Sequence, residues 1–277
     1  MLSLRHNKTK SPRRLPQGYN VEIVDTHAHL DTPEFRIDVP DVLQRAAEAG
    51  VGRIICVGTT LDSSRLCIQL ARRFPGRVFA AVGIHPNYCA EADARDFNQV
   101  ETEASLPEVV AVGETGMDLH HSYSPPEVQA EYLRRHIQLS LSVGKPLIVH
   151  ARKADEDVLR ILAEETRGLH GVRHCFDGSA QTAARYLDLG MCLGFGGTMT
   201  QPGHKKLKAA ALMVPAERLL VETDCPYMMP AGQPGSRNEP AFITHVVQAF
   251  AELRRVSPNE IAGTTTRNAL GLFFGGA

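Results

Sequence analysis

Two histidines, His27 and His29, flank a single alanine just past an apolar run that starts at Val21. In an extended chain, residues two apart point to the same side. The two imidazoles therefore project together, with small Ala28 between them. That pair is a chelating geometry, suited to zinc and also to manganese, iron, cobalt or nickel. The pattern recurs along the chain. Other apolar runs lead into His85, Glu114, His150, His174 and Asp224. Imidazole and carboxylate together form the donor set of a hydrolytic metal centre.

Something must bring these ends together. Short apolar runs predict strands over Val21–Asp25, Arg53–Val57, Val78–Val82, Val109–Val112, Pro146–Val149, Val172–His174, Met191–Phe195 and Arg218–Glu222. Helical spacing predicts helices over Val39–Ala49, Ser63–Phe74, Glu127–Val143, Ala154–Glu165, Ala180–Leu189, Lys205–Met213 and Ala241–Arg254. A last helix is expected over Ser257–Phe273, with Ser257 as N-cap and Pro258 at the first helical position.

Strands alternating with helices predict a parallel α/β fold. Strands that are apolar at nearly every position predict burial on both faces. An open doubly wound sheet is one solution. A closed (β/α)8 TIM barrel is the other, and the length after residue 20 suits it. A barrel gathers the carboxyl ends of its strands into one mouth, where enzyme sites of this fold lie. His27, His29, Glu114, His150, His174 and Asp224 would then share one rim. Packing explains such convergence poorly, because unpaired buried carboxylates are costly. The expectation is a TIM barrel that binds metal at its mouth.

Composition sets the outer bounds. The chain has 277 residues, with 30 Lys+Arg against 31 Asp+Glu and a formal net charge of −1. That balance excludes a polycation built to coat nucleic acid, but not a nucleic acid held at one site. At 43% hydrophobic and 22% charged, the sequence reads as folded rather than disordered. No run is long and apolar enough for a membrane-spanning helix.

Residues 1–20 hold Arg5, Lys8, Lys10, Arg13 and Arg14 and no acid. They lack the apolar core of a secretory signal and read as a flexible basic leader. Residues 21–277 read as a single domain with 25 positive against 31 negative groups. Six cysteines without a C-x-x-C pair predict free thiols and a cytoplasmic location.

The sequence resembles the TatD family of metal-dependent hydrolases, within the amidohydrolase-like barrels. The matching pieces are His27-Ala28-His29-Leu30-Asp31, Gly83-Ile84-His85-Pro86, Gly113-Glu114-Thr115-Gly116-Met117-Asp118 and Leu147-Ile148-Val149-His150-Ala151-Arg152. They continue with His174-Cys175-Phe176, Thr223-Asp224-Cys225-Pro226-Tyr227, Arg237-Asn238-Glu239-Pro240 and Thr266-Arg267-Asn268, in the family's order.

The resemblance implies two divalent ions. One would take His27, His29, Glu114 and Asp224; the other would take Glu114, His150 and His174. Glu114 would bridge, which its two oxygens allow. It stands where related barrels use a carboxylated lysine. Paired ions sit about 3.5–4 Å apart and clamp the attacking and leaving oxygens of an in-line displacement. They also lower the pKa of water from about 15.7 to about 7. Asp224 is the expected general base. His85 is implied to contact the scissile phosphate.

Arg152, Lys153 and Arg237 are candidate phosphate contacts, since arginine can hold phosphate oxygens bidentately. Glu239 is expected to orient Arg237 or a loop backbone rather than to do chemistry. The implied activity is a DNase working from 3′ ends, with single-stranded DNA as partner. An alternative keeps the site and attacks a carbonyl ester or amide, as in removal of D-amino acids from tRNA. A non-catalytic scaffold is a third reading; it predicts gaps in the ligand set, and none is present.

Magnesium is the ion that the resemblance favours, and the donors also admit zinc, manganese, nickel or iron. The sequence departs from the family pattern at Leu119-His120-His121-Ser122-Tyr123, at His136, where glutamine is usual, and at Asp177, where serine is common.

Overall fold

The computed structural model describes residues 19–164, 168–233, 235 and 237–275. The leader read over residues 1–20 lies outside them except for Tyr19 and Asn20.

Eight strands lie in chain order in one sheet: β1 (Ile23–Ala28), β2 (Val51–Val57), β3 (Val78–Val82), β4 (Val109–Asp118), β5 (Leu147–Arg152), β6 (Gly171–Arg173), β7 (Cys192–Phe195) and β8 (Leu219–Val221). Every neighbouring pair is parallel. The ring closes where β8 returns to β1. His29 N donates to Cys225 O at 2.8 Å, and Asp224 N to His27 O at 2.9 Å. Thr26 Oγ1 adds a bond of 3.1 Å to Val221 O. The fold is a (β/α)8 TIM barrel, and the open sheet is ruled out.

Helices α1 (Val39–Glu48), α2 (Leu61–Arg73), α3 (Ala94–Glu103), α4 (Pro126–Val143), α5 (Asp155–Glu164), α6 (Ala180–Asp188), α7 (Lys205–Met213), α8 (Ile243–Arg254) and α9 (Pro258–Phe274) surround it. No helix among the described residues is long and apolar enough to cross a membrane. The apolar strand residues divide by the strand's period of two. Ile23, Ile54 and Cys56 pack outward under the helices. Val24, Ile55 and Val57 fill the barrel with Ile148, Val172 and Leu220. Ala269 and Phe273 of α9 join this inner cluster and plug the end opposite the mouth.

Two elements differ most from expectation. Helix α3 had no predicted counterpart, because only Phe97 and Val100 on it are buried. Its start is fixed by a capping box, in which the Asp93 and Asp96 side chains each accept from the other residue's backbone N–H. Strand β4 runs on to Asp118, past its predicted end at Val112. Two glycines make this possible. Gly113 (φ +133°) and Gly116 (φ +140°) hold backbone that favours glycine, and a Cβ on Gly116 would lie 1.9 Å from His150 O. Strands β4 and β5 therefore approach closely where Glu114 and His150 face each other.

Candidate metal centre

The ends of β1, β4, β5, β6 and β8 deliver one cluster. His27 in β1 and His29 just past its end point to one side, and their Nε2 atoms lie 3.2 Å apart. Glu114 Oε2 is 3.3 Å from His27 Nε2 and 3.7 Å from His29 Nε2. Asp224 Oδ1 is 3.8 Å from His27 Nε2 and 3.4 Å from His29 Nε2. On the other side, Glu114 Oε1 is 2.9 Å from His150 Nδ1 and 2.7 Å from His174 Nε2. His85 Nε2 reaches the same oxygen at 3.4 Å. Each carboxylate oxygen of Glu114 thus serves its own group of nitrogens. The cluster is buried, with Asp224 and His150 at its more open edge.

Neighbouring groups aim these donors. His29 Nδ1 bonds Val57 O at 2.9 Å, which turns Nε2 into the site. His85 Nδ1 accepts from Asn87 N at 3.1 Å. Asp25 accepts from Thr223 N at 2.9 Å and Thr223 Oγ1 at 2.6 Å, tying β1 to the residue before Asp224. Asp224 itself has φ +55°. A non-glycine residue in that region is uncommon, and such strain gathers at functional sites.

Electrostatics favour positive charge at the centre. Burial lowers an imidazole pKa, yet Asp224 raises His29 to about 10 and Glu114 raises His174 to about 10. Burial works to raise Glu114, but His174, His85 and His27 overcome it and hold the carboxyl well below its usual range. Burial also opposes ionisation of Asp224, and the His29 hydrogen bond outweighs it. His27 goes the other way, lowered by burial and by His174, which stacks on it at 3.9 Å. Ionised carboxylates facing imidazole nitrogens fit a divalent cation of the transition series. Three of the groupings that could hold an ion are His27–His29–Asp224, His27–Glu114–His174 and His85–Glu114–His150.

The family described as TatD related DNase matches residues 24–274. The chain belongs to that family. The uncharacterized metal-dependent hydrolase YabD of Bacillus subtilis is 37% identical over 91% of this chain and 98% of its own. The 3′-5′ ssDNA/RNA exonuclease TatD of Salmonella typhimurium is 33% identical, over 90% and 98%. The crystal structure of YJJV, a TatD homologue of Escherichia coli K12, superposes with TM-score 0.86 at 34% identity, over 91% and 98%. This chain is a TatD-type metal-dependent hydrolase.

The arginines read as phosphate contacts separate. Arg152 stands exposed at the mouth beside Lys153, and neither has a carboxylate partner among the described residues. Their charges lower the pKa of His120. The guanidinium of Arg237 faces carboxylates instead. It donates to Asp38 Oδ1 and Oδ2 at 2.9 and 2.7 Å and to Glu239 Oε1 at 2.6 Å, over the ring of Phe35. Glu239 orients Arg237, as expected.

Several further residues support the centre. Asp118 Oδ2 lies 3.5 Å from His150 Nε2 and 2.9 Å from His121 Nδ1. Glu222 Oε1 lies 3.6 Å from His174 Nδ1 and accepts from Cys175 N. Arg173, buried under the mouth, donates to Ala151 O at 2.5 Å and to His174 O. Asp118 ends the Gly113-Glu114-Thr115-Gly116-Met117-Asp118 motif, and Glu222 stands two residues before Asp224. The lone Arg173 carried no signal.

Proposed function

We propose that this hydrolase is a two-ion phosphodiesterase that cleaves single-stranded DNA from its 3′ end, in the cytoplasm, with residues 21–277 as one catalytic domain. Glu114 carries the reading, because its two oxygens face two distinct groups of nitrogens. His27, His29, Asp224 and Glu114 would hold one ion, and Glu114, His150 and His174 the other. Ions held there, magnesium or a transition metal, supply Lewis acidity and make water nucleophilic at neutral pH.

The chain's own groups do the rest. Asp224 sits at the edge of the cluster and takes the proton of the attacking water as general base. His85 projects beside Glu114 and contacts the phosphate oxygens. Arg152 at the mouth draws in the neighbouring phosphate. The relatives named as ssDNA/RNA exonucleases support the choice of substrate.

The test assays purified protein on 3′-labelled single-stranded DNA and on D-aminoacyl-tRNA, with and without chelator. Metal-dependent loss of 3′ nucleotides, abolished in His150→Ala, is expected. Deacylation without DNA cleavage would move the activity to carbonyl esters. DNA cleavage indifferent to chelator would sink the metal nuclease.

A further inference from the structure

The rim of the mouth is uneven in charge. Beside β1 and β8, Arg45 and Arg237 are matched by Asp38 and Glu239, so that side is neutralised. Beside β4 and β5, Arg152 and Lys153 stand exposed, with no carboxylate partner among the described residues.

Next to them is a loop held by several hydrogen bonds. Gln129 closes it from below, accepting from Asp118 N at 2.8 Å and donating to Ser124 O at 2.7 Å. Asp118 Oδ1 accepts from the backbone of both His120 and His121, at 2.9 and 3.0 Å. Leu119 N donates to Arg152 O at 2.9 Å, so the loop and the end of β5 adjoin. On this scaffold the Tyr123 ring stacks on His121, 5.2 Å between centroids and 12° from parallel. Tyr123 is 66% exposed. Its hydroxyl makes no hydrogen bond among the described residues. A tyrosine ring stacked on a half-buried histidine, yet itself left in solvent, has no role in packing the barrel.

We infer that His121 and Tyr123 form a base-stacking platform, and that Lys153 with Arg152 guides the backbone of the nucleotides next to the scissile phosphodiester. The inference rests on the nucleic-acid reading above. Flat π faces beside unpaired cations are how proteins hold single strands without reading sequence. Asp118 joins the platform to the centre, touching both His121 and His150. The strand therefore enters over β4 and β5, away from the neutralised side.

The test compares a thymidine oligonucleotide with its analogue carrying abasic sites next to the terminal nucleotide. On the thymidine strand, Tyr123→Ala should raise KM about tenfold or more, and Tyr123→Phe should restore it. The wild type should suffer a similar rise on the abasic strand, and Tyr123→Ala should add nothing further there. Lys153→Ala should flatten the dependence of log KM on log salt by about 0.7. An unchanged KM for Tyr123→Ala, or equal losses on both strands, overturns the platform. A wild type that cleaves no nucleic acid overturns the proposed function itself, a separate outcome.

Discussion

Glu114 and His174 meet at 2.7 Å, Oε1 to Nε2, inside the mouth of the barrel. The other oxygen of Glu114 faces His27 at 3.3 Å, so one buried charge serves both sides of the centre. Glu114→Gln keeps the volume and removes that charge. It should lose both ions by elemental analysis and lower turnover by about 10²-fold or more. Retention of both ions would show that Glu114 is not the bridge.

Asp224 separates binding from proton transfer. Its backbone has φ +55°, which asparagine tolerates, so Asp224→Asn preserves the local fold. With His27, His29 and Glu114 intact, metal content should largely persist. Turnover should fall about 10²–10⁴-fold through loss of the base. Unchanged turnover would remove Asp224 from that role.

His136 predicts an acid-side loss of stability. Its Nε2 accepts from Ile84 N at 3.0 Å, and its Nδ1 reaches Tyr132 O at 2.7 Å. Burial lowers its pKa from 6.5 to about 4. Between those values the unfolded chain binds a proton that the native imidazole refuses, so stability falls as pH drops through the window. The full loss is about 3 kcal/mol. His136→Gln can keep both hydrogen bonds and carries no such proton. Its thermal unfolding should lose less stability than the wild type between pH 6.5 and 4; parallel curves would contradict this.

Arg237→Ala should behave as a structural change. It strips a partner from Asp38 and Glu239 at a half-buried site. Stability should fall by about 1 kcal/mol, read as a lower Tm, while KM for the oligonucleotide stays put. A raised KM with unchanged Tm would return Arg237 to the substrate.

Much of the centre was legible because strand geometry is simple. His27 and His29 must share a face, and a parallel barrel must bring His150, His174 and Asp224 to the same end. What escaped depended on pairings across the fold. Arg237 pairs with Asp38, 199 residues away in sequence, a contact that no local pattern signals. Asp118 joined the site only because β4 runs past Glu114 in register with β5, pairing Asp118 with Arg152. Helix α3 hid because two buried residues make a thin apolar stripe.

The claim that one carboxylate bridges two ions is tested most directly by metal titration of the chelated protein. Bound ions are counted by elemental analysis, and 3′ nucleotide release is followed on the same samples. Two ions per chain, with release appearing as the second binds, is the expected result. Full release with one ion bound, or release in the fully chelated protein, would contradict it.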